Sequence, residues 1–325
     1  FYEFENSNLH RKKIKLKTLK ESKITPKILR YFPFQKTLPP KSIFHSSYLR
    51  TIFQKDVVKI ITIYDFTYEY FNKGLKKFIH SRQKKLAIKN SDGIICISNS
   101  TKKDLFKNFP NINKKKVKTI YISSNNEFYQ IKKINKNNID KKFKSLIDKK
   151  IILYVGDRKS TYKNFVLAID IVSSFKNFVF VSVGSDQITT KEQKLIDKKL
   201  RGNFYHFSKL SSKELNIIYN ISYCLLYPSS YEGFGIPIIE AMKTGCPVVS
   251  TNFSSIPEVA GNAAILVKKI NKESFIKAIK LLENKSFKRI LIKRGLSQAN
   301  KFSWEKCYLE TLKFYEKVYK WKFYK

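Results

Sequence analysis

From about residue 56 to residue 300, short apolar bursts alternate with amphipathic stretches, and that alternation leaves few folds open. Residues 57–63 read as a buried strand, and 75–88 follow with helical spacing. A second strand is expected over 93–97. A helix then runs to Phe106 from Ser98 or Ser100, because a hydroxyl there can accept a bond from an otherwise unpartnered first-turn amide. Residues 117–122 form a further strand, and 132–150, rich in Lys and Asn, read as a linker with one short helix. The pattern then repeats. Strands 151–155 and 178–183 end at Gly156 and Gly184, and helices follow over 164–175 and 191–200. A strand at 204–207 precedes a helix at 211–220, where Ser211 or Ser212 and Glu214 make a capping-box start. Strand 223–227 leads to helix 236–244, closed by Gly245, and strands 247–250 and 263–267 complete the series.

Strands and helices in this order build parallel sheets covered on both faces. The expected fold is therefore α/β, with two doubly wound sheet domains joined by a polar linker and facing a cleft. We place them at residues 1–148 and 149–303, with an aromatic, basic helix over 304–325 packing back across both. Ligands of such sheets collect at the carboxyl ends of the strands.

With 65 Lys+Arg against 25 Asp+Glu, the chain carries a formal charge of +40, which invites a search for an anionic partner. The lysines are spread over nearly every segment and accompany abundant Asn and Ile, which points partly to a general compositional drift. A basic face for anionic lipid is the functional reading of this charge. No interleaved basic-aromatic motif or helix-turn-helix stands out, so nucleic acid is not an expected partner. Cys96, Cys224, Cys246 and Cys307 lie far apart, the first three inside apolar runs, and read as reduced thiols in a reducing cytosol. With no apolar run near eighteen residues and no signal peptide, the expectation is a cytoplasmic protein, peripheral on the inner face of the membrane.

The densest chemistry lies between Tyr231 and Val259, Y-E-G-F-G-I-P-I-I-E-A-M-K-T-G-C-P-V-V-S-T-N-F-S-S-I-P-E-V. Glu232 and Glu240 stand either side of a Gly-Phe-Gly turn that runs into a helix opening with Ile236-Pro237. Such a helix start offers backbone amides to an anion. The two carboxylates can accept hydroxyls on either side of it. An anion flanked by hydroxyls describes a nucleotide-activated sugar. Arg158 and Lys163, after the strand that ends at Gly156, can neutralise a diphosphate. Taken alone, they also fit an exposed basic loop.

At these residues the chain resembles the retaining glycosyltransferases of family four, which have the GT-B fold. The likeness rests on E-G-F-G-I-P-I-I-E-A-M, G-C-P-V-V-S-T and S-I-P-E-V-A-G-N-A-A, and on Y-V-G-D-R-K-S-T-Y-K-N at 154–164. The stretches F-H-S-S-Y-L-R, I-T-I-Y-D-F-T-Y-E-Y and I-I-C-I-S-N-S-T-K-K-D-L resemble a bacterial subgroup that adds mannose or rhamnose to surface polysaccharide.

The resemblance implies Rossmann-like domains and roles for individual residues. Gly156, Arg158 and Lys163 would hold the donor diphosphate. Glu232, with Gly233, Phe234, Gly235 and Ile236, would meet the transferred sugar and phosphate, and Glu240 would bind the ribose. Catalysis would fall to Glu232, Arg158, Lys163 and Asp65. His45, Tyr64 and Asp65 would line the acceptor side. Ser98 would lie near the cleft, and Glu258 would cap and order its loop. The implied partners are a nucleotide-diphosphate sugar and a glycan or lipid-linked acceptor, with no cofactor and no metal.

Two departures from the family pattern are visible. Tyr64 stands where many members carry histidine. No strand–Gly-Gly–helix unit precedes residue 40, which leads us to expect a further unit of roughly 40–60 residues upstream. Two other readings compete: a nucleotide-sugar epimerase of the same fold, and a non-catalytic basic protein that binds membrane or nucleic acid.

Overall fold

The computed structural model describes residues 30–46, 48–132 and 140–324. The early basic run Arg11 to Lys23 and the middle of the expected linker lie outside the described residues. Among the described residues the strands are β1 (Ile43–Ser46), β2 (Val58–Ile63), β3 (Gly93–Cys96), β4 (Val117–Thr119), β5 (Lys150–Val155), β6 (Phe178–Val183), β7 (Phe204–Phe207), β8 (Cys224–Tyr227), β9 (Val248–Thr251) and β10 (Ile265–Val267). The helices, also in chain order, are α1 (Thr67–Phe71), α2 (Gly74–Asn90), α3 (Asn99–Asn108), α4 (Lys141–Lys144), α5 (Phe165–Val172), α6 (Thr190–Leu200), α7 (Ser212–Ile221), α8 (Ile236–Lys243), α9 (Ile256–Ala260), α10 (Lys272–Lys280), α11 (Lys285–Ala299) and α12 (Trp304–Phe323).

Both sheets are parallel, as the continuous apolar runs require. The first has the order β1-β2-β3-β4, the second β10-β9-β8-β5-β6-β7. In the second sheet the chain starts at the centre with β5, winds one way through β6 and β7, then returns to β8 and winds the other way. That order reverses between β5 and β8, and loops leaving the carboxyl ends of two such strands diverge and leave a crevice.

Each face of the second sheet carries its own core. Leu153, Leu225 and Val248 face one way with Ile238 and Ile239 of α8, while Ile152, Leu226 and Val249 face the other with Ile169 and Phe275. The first sheet is sandwiched in the same way. Ile61, Ile63, Ile94 and Cys96 pack under Leu105 of α3, and Val58, Ile60 and Ile95 pack under Phe314 and Val318 of α12. The last helix thus carries the chain back from the second sheet to the first, and Lys322 pins its end by donating to Asp92 at 2.7 Å. Cys96, Cys224 and Cys246 are buried free thiols, and burial pushes Cys96 and Cys224 up to about 12.

Local signals explain most helix starts. Ser98 Oγ accepts from the Thr101 amide, and Ser211 with Glu214 forms the full capping box. Two places differ from the sequence reading. β1 is a strand whose mixed residues show no clear period, and it forms because β2 offers it a parallel edge. Helix α2 has apolar spacing but buries only Lys84, Ala87 and Ile88.

Phe314 is buried against β2 and β3 with 4 % exposure. Phe314→Ala should therefore destabilise the protein by about 3–5 kcal/mol, the cost of an emptied aromatic site. A urea titration followed by circular dichroism measures this, and an unchanged midpoint would show that α12 does not hold the first sheet.

Candidate functional site

The crevice between the ends of β5 and β8 gathers most of the polar residues singled out from the sequence. β5 is followed by Gly156, whose φ of 154° is one that side chains rarely adopt. A Cβ here would lie 3.1 Å from Lys163 Cδ, so glycine lets Lys163 fold back over the strand end. Lys163 closes a short 3-10 turn, and Asn164 follows in the left-handed region at φ 53°. Its Nδ2 donates to the Pro228 carbonyl at 2.8 Å, and the Ser230 amide donates to the Tyr162 carbonyl at 2.8 Å. The loop bearing Lys163 is thereby stitched to the loop after β8.

That second loop carries Glu232. Lys163 Nζ donates to Glu232 Oε1 at 2.8 Å and lies 3.4 Å from the Tyr227 hydroxyl. The two side chains are 14 % and 12 % exposed, so the pair is sheltered but reachable. Ser254 Oγ accepts from the Glu232 amide, and Ser255 Oγ donates to the Glu232 carbonyl, both at 2.8 Å. Beyond the turn, Phe234 is buried against Tyr121 and Phe302. Gly235 starts α8, and no side chain caps that helix, which leaves its first turn without a side-chain acceptor. Ile236 is its half-open first residue.

Glu240 sits one turn further along α8 and accepts from the Tyr219 hydroxyl at 2.9 Å. Burial pushes its carboxyl up to about 7, against the opposing pull of Tyr219 and Lys243. No local pattern singles out Tyr219, a fully buried residue on α7.

The first domain meets this turn directly. A Cβ on Gly233 would stand 2.1 Å from the Tyr64 carbonyl oxygen and 3.0 Å from Asp65 Cβ, so only glycine allows the contact. The Gly233 carbonyl accepts from Ser98 Oγ at 2.7 Å and Thr101 Oγ1 at 3.2 Å. Tyr231 reaches across as well, accepting from the Phe66 amide at 2.9 Å and donating to Asp104 at 2.8 Å. Glu258 does cap a helix, but one in the facing domain: its two oxygens accept from the Asn99 and Ser100 amides of α3 at 2.7 and 3.1 Å. A carboxylate at a helix N-terminus is favoured by the free amides and the dipole there.

Tyr64 and Asp65 are therefore brought against the Glu232–Gly233 turn. The Tyr64 ring is 43 % exposed, while Asp65 Oδ1 accepts from the Thr67 amide and starts α1. Lys84, 2 % exposed, donates to the Asp65 carbonyl at 2.9 Å and to Glu69 at 2.7 Å. Burial opposes ionisation of Glu69, but His80 and Lys84 hold it at about 2.

Two expectations need correction. Arg158 does not offer its guanidinium to the crevice. Its side chain is fully enclosed, with Nε on Glu192 at 3.1 Å and its terminal nitrogens on the Gly184, Asp186 and Gln187 carbonyls. An arginine three residues after a strand end can turn toward the neighbouring strand, and the carbonyls after β6 supply a ready cage. His45 does not line an open acceptor surface. Its Nδ1 meets the Tyr315 hydroxyl and its Nε2 meets Thr62 Oγ1 at 2.8 Å, and burial lowers it to about 4. It is a structural link between β1, β2 and α12. Among the described residues no group of three or more His, Cys, Asp or Glu is arranged to hold a metal ion.

Comparison with known proteins adds an independent finding. Residues 135–298, half of the chain, match the family model for glycosyl transferases group 1. The O-antigen chain mannosyltransferase B of Escherichia coli is 39 % identical over 125 residues, covering 38 % of this chain and 32 % of its own. The O-antigen chain mannosyltransferase RfbU of Salmonella typhimurium is 28 % identical over 224 residues, covering 69 % and 60 %. The chain thus spans between about one third and three fifths of these two curated relatives. Among solved structures, sucrose-phosphate synthase of Thermosynechococcus elongatus superposes with a TM-score of 0.69 at 19 % identity, over 85 % of this chain and 73 % of that one. WaaG, a glycosyltransferase involved in lipopolysaccharide biosynthesis, gives 0.63 at 16 % identity, over 75 % and 73 %. The two-domain arrangement is therefore GT-B.

A carboxyl near 4.5 when unfolded and about 7 when folded holds its proton more tightly in the native state. Its contribution to stability is intact below pH 4.5 and lost as pH rises through 7. Across that gap, at roughly 1.4 kcal/mol per pH unit, the loss is about 3 kcal/mol. Glu240→Gln should thus be more stable than the parent at pH 8 and equal to it at pH 4. Thermal unfolding at the two pH values checks this, and a pH-independent difference would rule out the buried carboxylate as its source.

Proposed function

The chain belongs to the glycosyl transferases group 1 family, and on that premise we propose that it transfers a hexose or deoxyhexose from a nucleotide-diphosphate sugar to a glycan or lipid-linked acceptor. The observation that carries this reading is the Lys163–Glu232 pair at the switch point of the second sheet, next in the chain to Gly233, which lies against Tyr64 and Asp65. A donor diphosphate would take over Lys163 and the first-turn amides of α8, where positive charge and helix dipole coincide. Glu232, released from Lys163, would accept hydroxyls of the sugar. Glu240, once ionised, would accept the ribose diol. Tyr64 and Asp65 would border the acceptor.

In the transfer, the bond from the anomeric carbon to the diphosphate breaks and a bond to the acceptor oxygen forms. We read the reaction as retaining, by attack on the face the diphosphate leaves, with the departing phosphate taking the acceptor proton. Lys163 supplies the charge that stabilises that phosphate, so the reading includes no divalent ion. Arg158 acts by position: it cages the loops after β5 and β6 on which Lys163 depends. Two relatives bear the name O-antigen mannosyltransferase, which supports a mannose donor such as GDP-mannose and an acceptor in surface polysaccharide synthesis. Such an acceptor suits a cytoplasmic enzyme at the inner membrane face. No helix among the described residues is long and apolar enough to cross a membrane.

A panel of nucleotide sugars, assayed for release of nucleoside diphosphate with and without acceptor, tests the reading. Lys163→Ala should lower kcat/KM by about a hundred- to a thousandfold, as removal of a single charge-stabilising donor does elsewhere. No turnover of any donor, or an unaffected Lys163→Ala, would overturn it. Donor affinity should also fall about tenfold for each pH unit below 7 and level off above, because only ionised Glu240 accepts both ribose hydroxyls. Calorimetric titration across pH measures this, and Glu240→Gln should abolish the slope.

A further inference from the structure

Helix α2 wears its apolar side chains on the wrong side for a helix that only covers a sheet. Its fully buried residues are Lys84, Ala87 and Ile88, with His80 and Ser81 turned toward Tyr68 and Glu69 beside them. Leu75, Phe78, Ile79 and Leu86 are instead 72 %, 58 %, 41 % and 39 % exposed. Their spacings of three, four and seven residues place them on one stripe, opposite the buried one. Interleaved on that stripe are Arg82, Lys85 and Lys89, and Arg82 lies over the Phe78 ring at 5.9 Å. A shallow open depression of about 820 Å³ runs along it from Gly74 to Lys89. The helix contains no acidic residue.

We propose that this outer face of α2 is the surface on which the protein sits against an anionic lipid bilayer. The composition decides the occupant. Large apolar side chains mixed with cations on one exposed stripe, without a single anion, suit the boundary between headgroups and acyl chains. There the rings and Leu side chains leave water while the cations remain with the lipid phosphates. A protein partner would have to present an equally dense negative face with apolar centres. A second copy of this chain would bring like charge to like charge. The position of the helix fits as well. Lys84, on its buried side, holds the Asp65 carbonyl, so a membrane-seated α2 keeps the acceptor side of the cleft beside the lipid surface. This purpose rests on the lipid-linked acceptor proposed above, whereas binding itself is read without donor or acceptor.

The full chain is sedimented with vesicles of phosphatidylcholine alone and of phosphatidylcholine with an equal part of phosphatidylglycerol. We expect binding to the second and not the first. Substituting Leu75→Ser with Phe78→Ser should weaken it at least tenfold, since two of the most exposed apolar anchors are lost. Neutralising Arg82, Lys85 and Lys89 to Gln should weaken it about a hundredfold. The same loss of charge on α6, through Lys191, Lys194 and Lys198 to Gln, should leave most binding in place. Circular dichroism confirms folding of each variant, and donor turnover in solution should be unchanged in the Leu75/Phe78 variant.

Equal sensitivity to the α6 and α2 charges, or indifference to the Leu75/Phe78 change, would assign binding to the general charge and overturn the proposal. So would a dimer that the Leu75/Phe78 change dissociates, or binding that appears only once residues before Arg30 are removed. If vesicles are bound but no sugar is transferred, the sugar-transfer reading fails while the surface stands. The reverse result leaves that reading standing alone.

Discussion

One close contact governs the geometry of the cleft. Gly233 lies so near the Tyr64 carbonyl that a single added carbon would overlap it, and its own carbonyl accepts two hydroxyl bonds from the start of α3. Everything chemical hangs from that junction. Glu232 precedes it, the first turn of α8 follows it, and Asp65 borders it on the other side. Tyr231 and Glu258 add two more crossings, each ending on a backbone amide of the first domain. The domains therefore meet through hydrogen bonds that fix direction, with a modest apolar seam of Phe71, Tyr162 and Tyr231 beside them.

In a chain with a formal charge of +40, the few acids near the cleft are all engaged. Glu232 holds Lys163, Glu192 holds Arg158, Glu69 holds Lys84, and Glu258 holds the amides of α3. Pairs that are sheltered from water are strong when made and costly when half broken. Three of these four engagements build loops. The Lys163–Glu232 pair alone opens to the crevice, where an incoming anion can replace one partner. Glu240 differs from the rest: its partner is a neutral hydroxyl, and burial leaves its charge dependent on pH.

The strands were legible because buried parallel strands are apolar over most of their length, as in Phe178–Val183 and Val58–Ile63. β1 was not, because its Phe-His-Ser mixture gains strand structure only from β2. The donor-side motif was legible through a run of residue types in order. The direction of each side chain was not. Arg158 and Lys163 read alike as cations after a strand, yet one is caged by carbonyls and the other faces the crevice. His45 was assigned by its place in a motif, but its two nitrogens are satisfied by Thr62 and by Tyr315, a residue 270 positions away. Helix α2 shows the same limit, since periodicity reveals a stripe without saying whether the stripe meets protein or solvent.

By itself, then, the sequence determined the alternation of strands and helices, the two-sheet architecture and the identity of the residues that crowd the end of β8. These follow from local periodicity and turn chemistry, which act between near neighbours in the chain. Tertiary structure alone decided which cation faces the crevice, which carboxylate loses its water, and that a helix start in one domain is capped from the other. Such outcomes depend on atoms distant in sequence competing for the same donors, acceptors and space, and no local pattern records who wins.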